Sequence, residues 1–117
     1  MVKTKMGGQA QEMPKQEVKD YMLLMYEQGE QFGLENRMVQ CAEECSELIQ
    51  VICKCQRVFS GDKTCSYDIK ELKQNITEEI ADVEICLKQL KHILCNAEEV
   101  ERIKVQKIKR TERLLNK

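Results

Sequence analysis

Apolar residues recur every three or four positions along most of this chain, the spacing of helices with one buried side. After Pro14, a residue suited to a helix start, Val18, Tyr21, Met22, Met25 and Phe32 keep that rhythm, and Gly29 and Gly33 weaken the end of the segment. Asn36, a good N-cap, predicts a second helix with the stripe Met38, Cys41, Ala42, Cys45, Leu48, Ile49, Ile52 and Phe59. The polar stretch from Ser60 to Thr64 reads as a loop. A third helix is predicted from Ser66 or Tyr67. Its stripe, Ile69, Leu72, Ile76, Ile80, Val83, Leu87, Leu90 and Leu94, is unbroken. Asn96 followed by Glu99 resembles a capping box and opens a fourth helix with Val100, Ile103, Ile108, Leu114 and Leu115. No segment alternates as a strand does. The pattern predicts an all-α fold of four-helix bundle type. Residues 14–117 form its single domain, and the polar, aperiodic residues 1–13 a flexible tail.

Composition supports that picture and narrows the partners. Of 117 residues, 42% are apolar and 33% charged, a profile of a folded helical chain rather than a disordered one. A formal net charge of -1 removes the bulk positive charge on which general nucleic-acid binding depends. Residues 101–117 are nevertheless basic, with seven Lys/Arg against two Glu. No run approaches the roughly 18 apolar residues of a membrane span, and the first residues lack an apolar signal core, so a cytoplasmic protein without a membrane role is expected. Seven cysteines, an odd number at mostly helical spacing, fit reduced thiols. Cys53 and Cys55 are a poor zinc pair, because positions i and i+2 of a helix point to different faces.

The informative chemistry is acidic. Residues 43–52 read EECSELIQVI and residues 78–87 read EEIADVEICL. At an offset of 35, Glu43 matches Glu78, Glu44 matches Glu79 and Glu47 matches Asp82. Positions i and i+3 are neighbours on one helix face, so each segment presents two acids at the edge of its apolar stripe. The hairpin brings the pairs together. Glu47 lies 12 residues before Phe59, and Glu79 lies 12 residues after Tyr67. At 1.5 Å of rise per residue, both stand roughly 18 Å from the connection. Glu47 and Glu79 therefore return to one level, with Glu44 near Asp82. Four carboxylates in one half-buried patch repel one another unless a cation joins them. Oxygen-only donors suit Mg2+, with Mn2+ as an alternative. The Glu-x-x-His signature of a di-iron bundle is missing, and His92, the only histidine, lies about three turns beyond Asp82. Paired glutamates also occur on plain solvated helix faces, and geometry alone does not identify a substrate.

The two-part motif resembles that of the MazG-type all-α nucleoside triphosphate pyrophosphohydrolases. The resemblance covers roughly residues 36–94 and rests on Ala42 to Gln50 and on Asn75 to Val83. The stretch between the acid pairs is at or beyond the upper end of the family's usual spacing. The resemblance implies Mg2+-dependent hydrolysis between the α- and β-phosphates of a nucleoside triphosphate, with Glu44, Glu47, Glu79 and Asp82 as metal-binding and catalytic positions. It also implies a homo-oligomer, a dimer or tetramer. Glu43 or Glu78, or a metal-bound glutamate, is available to accept the water's proton. Lys54, Arg57 and Asn75 are candidate substrate contacts, and Lys104, Lys107, Lys109, Arg110 and Arg113 offer further cations from the fourth helix or a partner subunit. Two other readings stay open. One is a phosphoribosyl-ATP pyrophosphohydrolase-like enzyme. The other is a non-catalytic helical interaction module that keeps an acidic metal site.

Overall fold

The computed structural model describes residues 14–116, the side chains of residues 15–19 excepted, and within that range every regular element is an α-helix. The expected tail at 1–13 and the packing of Val18 lie outside the described residues. Four helices follow one another: α1 (Lys15–Phe32), α2 (Leu34–Phe59), α3 (Ile69–Leu94) and α4 (Ala97–Leu115). No helix among the described residues is long and apolar enough to cross a membrane.

Local chemistry sets the helix ends. Pro14 occupies the cap position before α1. Gly29 does not break that helix. Gly33 does, and by itself forms the whole connection to α2, at φ 85° and ψ 161°. A side chain is strained there, so glycine permits the turn. Its N–H donates to Gly29 O at 3.1 Å, and its own carbonyl accepts from Arg37 N at 3.0 Å. The second helix thus begins two residues before the expected Asn36 cap. The third begins later than expected, because the Asp68 carboxylate accepts from Lys70 N at 2.9 Å and makes Asp68 the cap. The loop before it is held by Asp62 Oδ1, which accepts from the Thr64 N–H at 2.9 Å and the Thr64 hydroxyl at 2.6 Å. Asn96 caps α4 as its spacing implied, accepting from Glu98 N and Glu99 N.

α2 and α3 form the central antiparallel pair, and α1 packs against both. Their facing sides run through Arg37, Cys41, Glu44, Leu48, Val51, Cys55 and Val58 on α2, and through Leu72, Ile76, Glu79, Val83, Cys86, Leu90 and Ile93 on α3. Steps of four and three alternate in both, the spacing of two helices packing knobs into holes. Cys41, Leu72, Val83 and Cys86 are its buried apolar residues. Gln89, 2% exposed, locks three helices together. It donates to Met25 O at 2.8 Å and accepts from Arg37 Nη1 at 3.1 Å, while Gly29 leaves room for its side chain. His92 adds a second tie to α1, stacked 4.5 Å from the Tyr26 ring with Nε2 2.9 Å from Glu30 Oε1.

The expected four-helix bundle does not close within one chain. α4 buries no residue, and meets the rest where Lys91 Nζ lies 3.8 Å from Glu101 Oε1. Half of the predicted stripes also stays bare: Met38, Ile49, Ile52 and Phe59 on α2, and Ile69, Ile80, Leu87 and Leu94 on α3, are exposed. The apolar arcs of both helices are wider than one helix–helix seam covers.

Candidate metal centre

Between the Arg37–Gln89 end and the loop the seam is apolar except midway along it, where carboxylates stand in apolar positions. Glu44 holds a seam position of α2, one step after Cys41, and Glu79 holds one of α3, between Ile76 and Val83. Asp82, one turn beyond Glu79, stands at the open edge. Ligand oxygens of Glu44, Glu79 and Asp82 all lie within 4.8 Å of one another, which suits a single cation between them. The first two are half-buried and the third is exposed, so the site is open on one side.

Two of these acids are short of partners. Glu44 Oε1 accepts from Gln40 Nε2 at 2.8 Å, whereas Glu44 Oε2 and Glu79 Oε2 are buried with no hydrogen bond. A buried carboxylate oxygen without a donor costs free energy, and a metal ion removes that cost. Burial pushes the Glu44 carboxyl above its usual range; the Gln40 amide opposes this, and the charges of Asp82 and Glu47 add to it. The donor set therefore fits a hard, oxygen-seeking divalent cation.

Of the four acids expected at the centre, the structure gathers three. Glu47 is exposed and outside the tight group, yet near enough to Glu44 to raise its pKa. Glu44 faces α3, whereas Glu47 points about 60° off that line. Glu43 and Glu78 are exposed, and Gln74 Nε2 donates to Glu78 Oε1 at 3.1 Å. Asn75 is exposed one turn before Glu79. Lys54 lies over the Tyr67 ring, 5.6 Å from its centroid, at the connection end of the hairpin. Arg57 is exposed beyond it, near the Asp62 carboxyl, which the Thr64 hydrogen bonds hold low with a smaller contribution from the Arg57 charge. Neither cation is beside the acids in this single chain. The basic residues of α4 are exposed, and several line an open surface hollow there.

Sequence reasoning missed Gln40, which orients Glu44, and the Arg37–Gln89 bond that ties α2 to α3. The signal was present. Arg37 lies on the same face as Cys41 and Glu44, a charge on an interior line that needs a partner opposite. Cys86 lies near Glu44 and Asp82, and Cys41 and Cys45 lie near it in turn. Burial raises the pKa of Cys41 and of Cys86, which keeps them protonated and inert. All seven cysteines are free, Cys53 exposed and Cys55 half-buried.

No protein-family model matches the chain, and neither a curated protein nor a solved structure matches it.

Proposed function

We propose that the chain is a Mg2+-dependent nucleoside triphosphate pyrophosphohydrolase that converts a (d)NTP to the monophosphate and pyrophosphate. One observation carries this reading. Two half-buried carboxylates from different helices stand in a largely apolar seam, each with a buried oxygen that lacks a partner, and a third closes on them at the open edge. Helix packing alone gives no reason to place repelling acids there. A cation contributes charge neutralisation of phosphate oxygens and a more acidic bound water.

The chain's own residues supply the rest. Glu44, Glu79 and Asp82 hold the ion, and Gln40 fixes the direction of Glu44. Glu47, at the rim, offers a further carboxylate to the ion or to the proton of the attacking water. Water adds to the α-phosphorus and the bond to the bridging oxygen of the β-phosphate breaks. Pyrophosphate leaves, and the water's proton passes to a carboxylate and then to solvent. The reading places the enzyme on a cytoplasmic nucleotide pool, with Mn2+ able to replace Mg2+.

The test is a panel of NTPs and dNTPs with Mg2+ and pyrophosphate detection. Pyrophosphate and monophosphate should appear in equal amounts. Glu79→Gln and Asp82→Asn should each lower turnover at least about 100-fold with helix content unchanged. Orthophosphate as the first product, or full activity in either variant, defeats the assignment. The turn of Lys54 toward Tyr67, away from the acids, favours a second reading: a metal-holding interaction module without chemistry. A Mg2+-dependent gain in stability with no product from any nucleotide would select it.

A further inference from the structure

We infer that Cys41, Cys45 and Cys86 form a binding site for a soft monovalent cation of the Cu+ class. The argument does not depend on hydrolysis.

Two links between α2 and α3 bracket these thiols. Near the start of α2, Arg37 bonds Gln89. Further along it, Glu44 meets Glu79 and Asp82. Cys41 lies four residues after Arg37, and four residues back from Gln89 on the antiparallel helix is Ile85. Cys86 is one residue from that level, or about 1.5 Å of rise. Cys41 and Cys86 both hold seam positions and are 7% and 6% exposed, so they face each other inside the seam. Cys45 lies one turn after Cys41, about 40° around α2. It is half-buried, is hydrogen-bonded to Cys41 and stands near Cys86 as well. Three sulfurs from two helices thus converge beside the acids, and none of them is in a disulfide.

The chemistry of sulfur decides the occupant. Thiolates favour soft ions such as Cu+, whereas Mg2+ favours the neighbouring carboxylates. Among the described residues, the carboxylates of Glu44, Glu79 and Asp82 are the only three potential ligands drawn within 4.8 Å of one another. The thiols therefore do not form the closed tetrahedral cage of a structural Zn2+ site. Cu+ asks for less: a pair of thiolates on opposite sides holds it, and a third completes a triangle. Two bonded sulfurs on adjacent turns, with another across the seam, supply that set. Burial keeps Cys41 and Cys86 protonated, which guards them against oxidants that attack the thiolate. It does not guard them against a soft cation, because a metal–sulfur bond replaces the S–H bond. Each thiol that binds releases its proton to solvent. No electron moves, and the copper stays Cu+.

The experiment is a titration of the reduced full chain with Cu+ under argon. It is read by thiolate-to-copper charge-transfer absorption and by competition with a chromogenic Cu+ chelator. Wild type is compared with a variant carrying Cys53→Ser, Cys55→Ser, Cys65→Ser and Cys95→Ser together, which keeps only the three clustered thiols. That variant should bind one Cu+ per chain, and excess Mg2+ should not displace it. Adding Cys45→Ser or Cys41→Ser should weaken binding beyond the roughly 10–100-fold cost of a change outside the ligand shell. Absence of the charge-transfer band in the four-serine variant overturns the inference, by leaving any bound copper to the other thiols. Unchanged affinity after Cys45→Ser, or displacement by Mg2+, overturns it too. If circular dichroism shows that the four-serine or the Cys41→Ser variant fails to fold, Cys45→Ser in the otherwise wild-type chain decides. Loss of one bound ion there supports the site, and an unchanged count and affinity overturn it.

Discussion

Replacing Glu44 by glutamine should stabilise the metal-free protein and abolish its response to Mg2+. The substitution keeps the shape and the acceptor that Gln40 uses, since Oε1 is retained. It turns the orphaned Oε2 into an amide donor and removes one charge from the group with Glu79 and Asp82. Two unit charges 4.8 Å apart repel by about 3.5 kcal/mol at an effective dielectric of 20 and by about 0.9 kcal/mol in bulk water. Asp82 is exposed, so solvent screening brings its share toward the lower figure. Relief of about 1–2 kcal/mol follows, or a Tm rise of about 3–8 °C for a chain of this size. Wild type should instead gain from the ion: with Mg2+ at about ten times its Kd, the gain is about 1.4 kcal/mol. Melts followed by circular dichroism in EDTA and in Mg2+ read both effects. A variant that melts lower than wild type in EDTA, or that keeps the full Mg2+ shift, would refute the reasoning, because the carboxylate would then be neither repelled nor a ligand.

Further outcomes are expected from the same geometry. Burial raises the Glu44 carboxyl, so the folded state holds its proton more tightly than the unfolded state. Stability from this group is therefore complete below the ordinary value of 4.5 and is lost as pH rises from there through the folded-state value. The Tm advantage of Glu44→Gln over wild type in EDTA should grow across that window, and a flat difference would show that the group is not perturbed. Gln89→Leu removes the acceptor of Arg37 Nη1 and the donor to Met25 O, and should cost about 1–3 kcal/mol in urea unfolding. Gly29→Leu drives a side chain into Gln89, whose Cβ and Cγ lie 3.1 Å from where even a methyl group would sit. A net loss of about 1–2 kcal/mol is expected despite the better helix propensity of leucine. Asp82→Asn should depress Mg2+ affinity more than Glu47→Gln does, because only Asp82 belongs to the tight group; isothermal titration would expose the reverse order.

Helix number, type and most boundaries could be read from the chain because they follow from near neighbours. The 3–4 rhythm, the Asn96 cap and the break at Gly33 are local facts, and the all-α fold follows from them. The Asp68 cap was local too, but it competed with Ser66 and Tyr67, and only the carboxylate actually placed on Lys70 N settled the start of α3. The antiparallel meeting of the two acid segments was legible for a similar reason. Rise per residue is constant, and equal distances to one loop set equal heights.

Other features needed the assembled helices. Spacing put Glu44 and Glu47 on one edge, but which of them turns inward depends on the angle at which α2 meets α3. Arg37 meets Gln89 across that pair, and Gly29 admits Gln89 beside α1. Nor could the stripes say how much of their width one chain would cover. A sequence lists apolar positions on a helix, whereas burial depends on which neighbours arrive. The sequence by itself determined the helices and the level at which the acids stand. Tertiary packing decided that three of those acids gather in one cluster, two of them with an unsatisfied buried oxygen, and that a whole apolar face is left bare. The rotation and number of neighbours around a helix are set by contacts between residues far apart in the chain, which no local pattern contains.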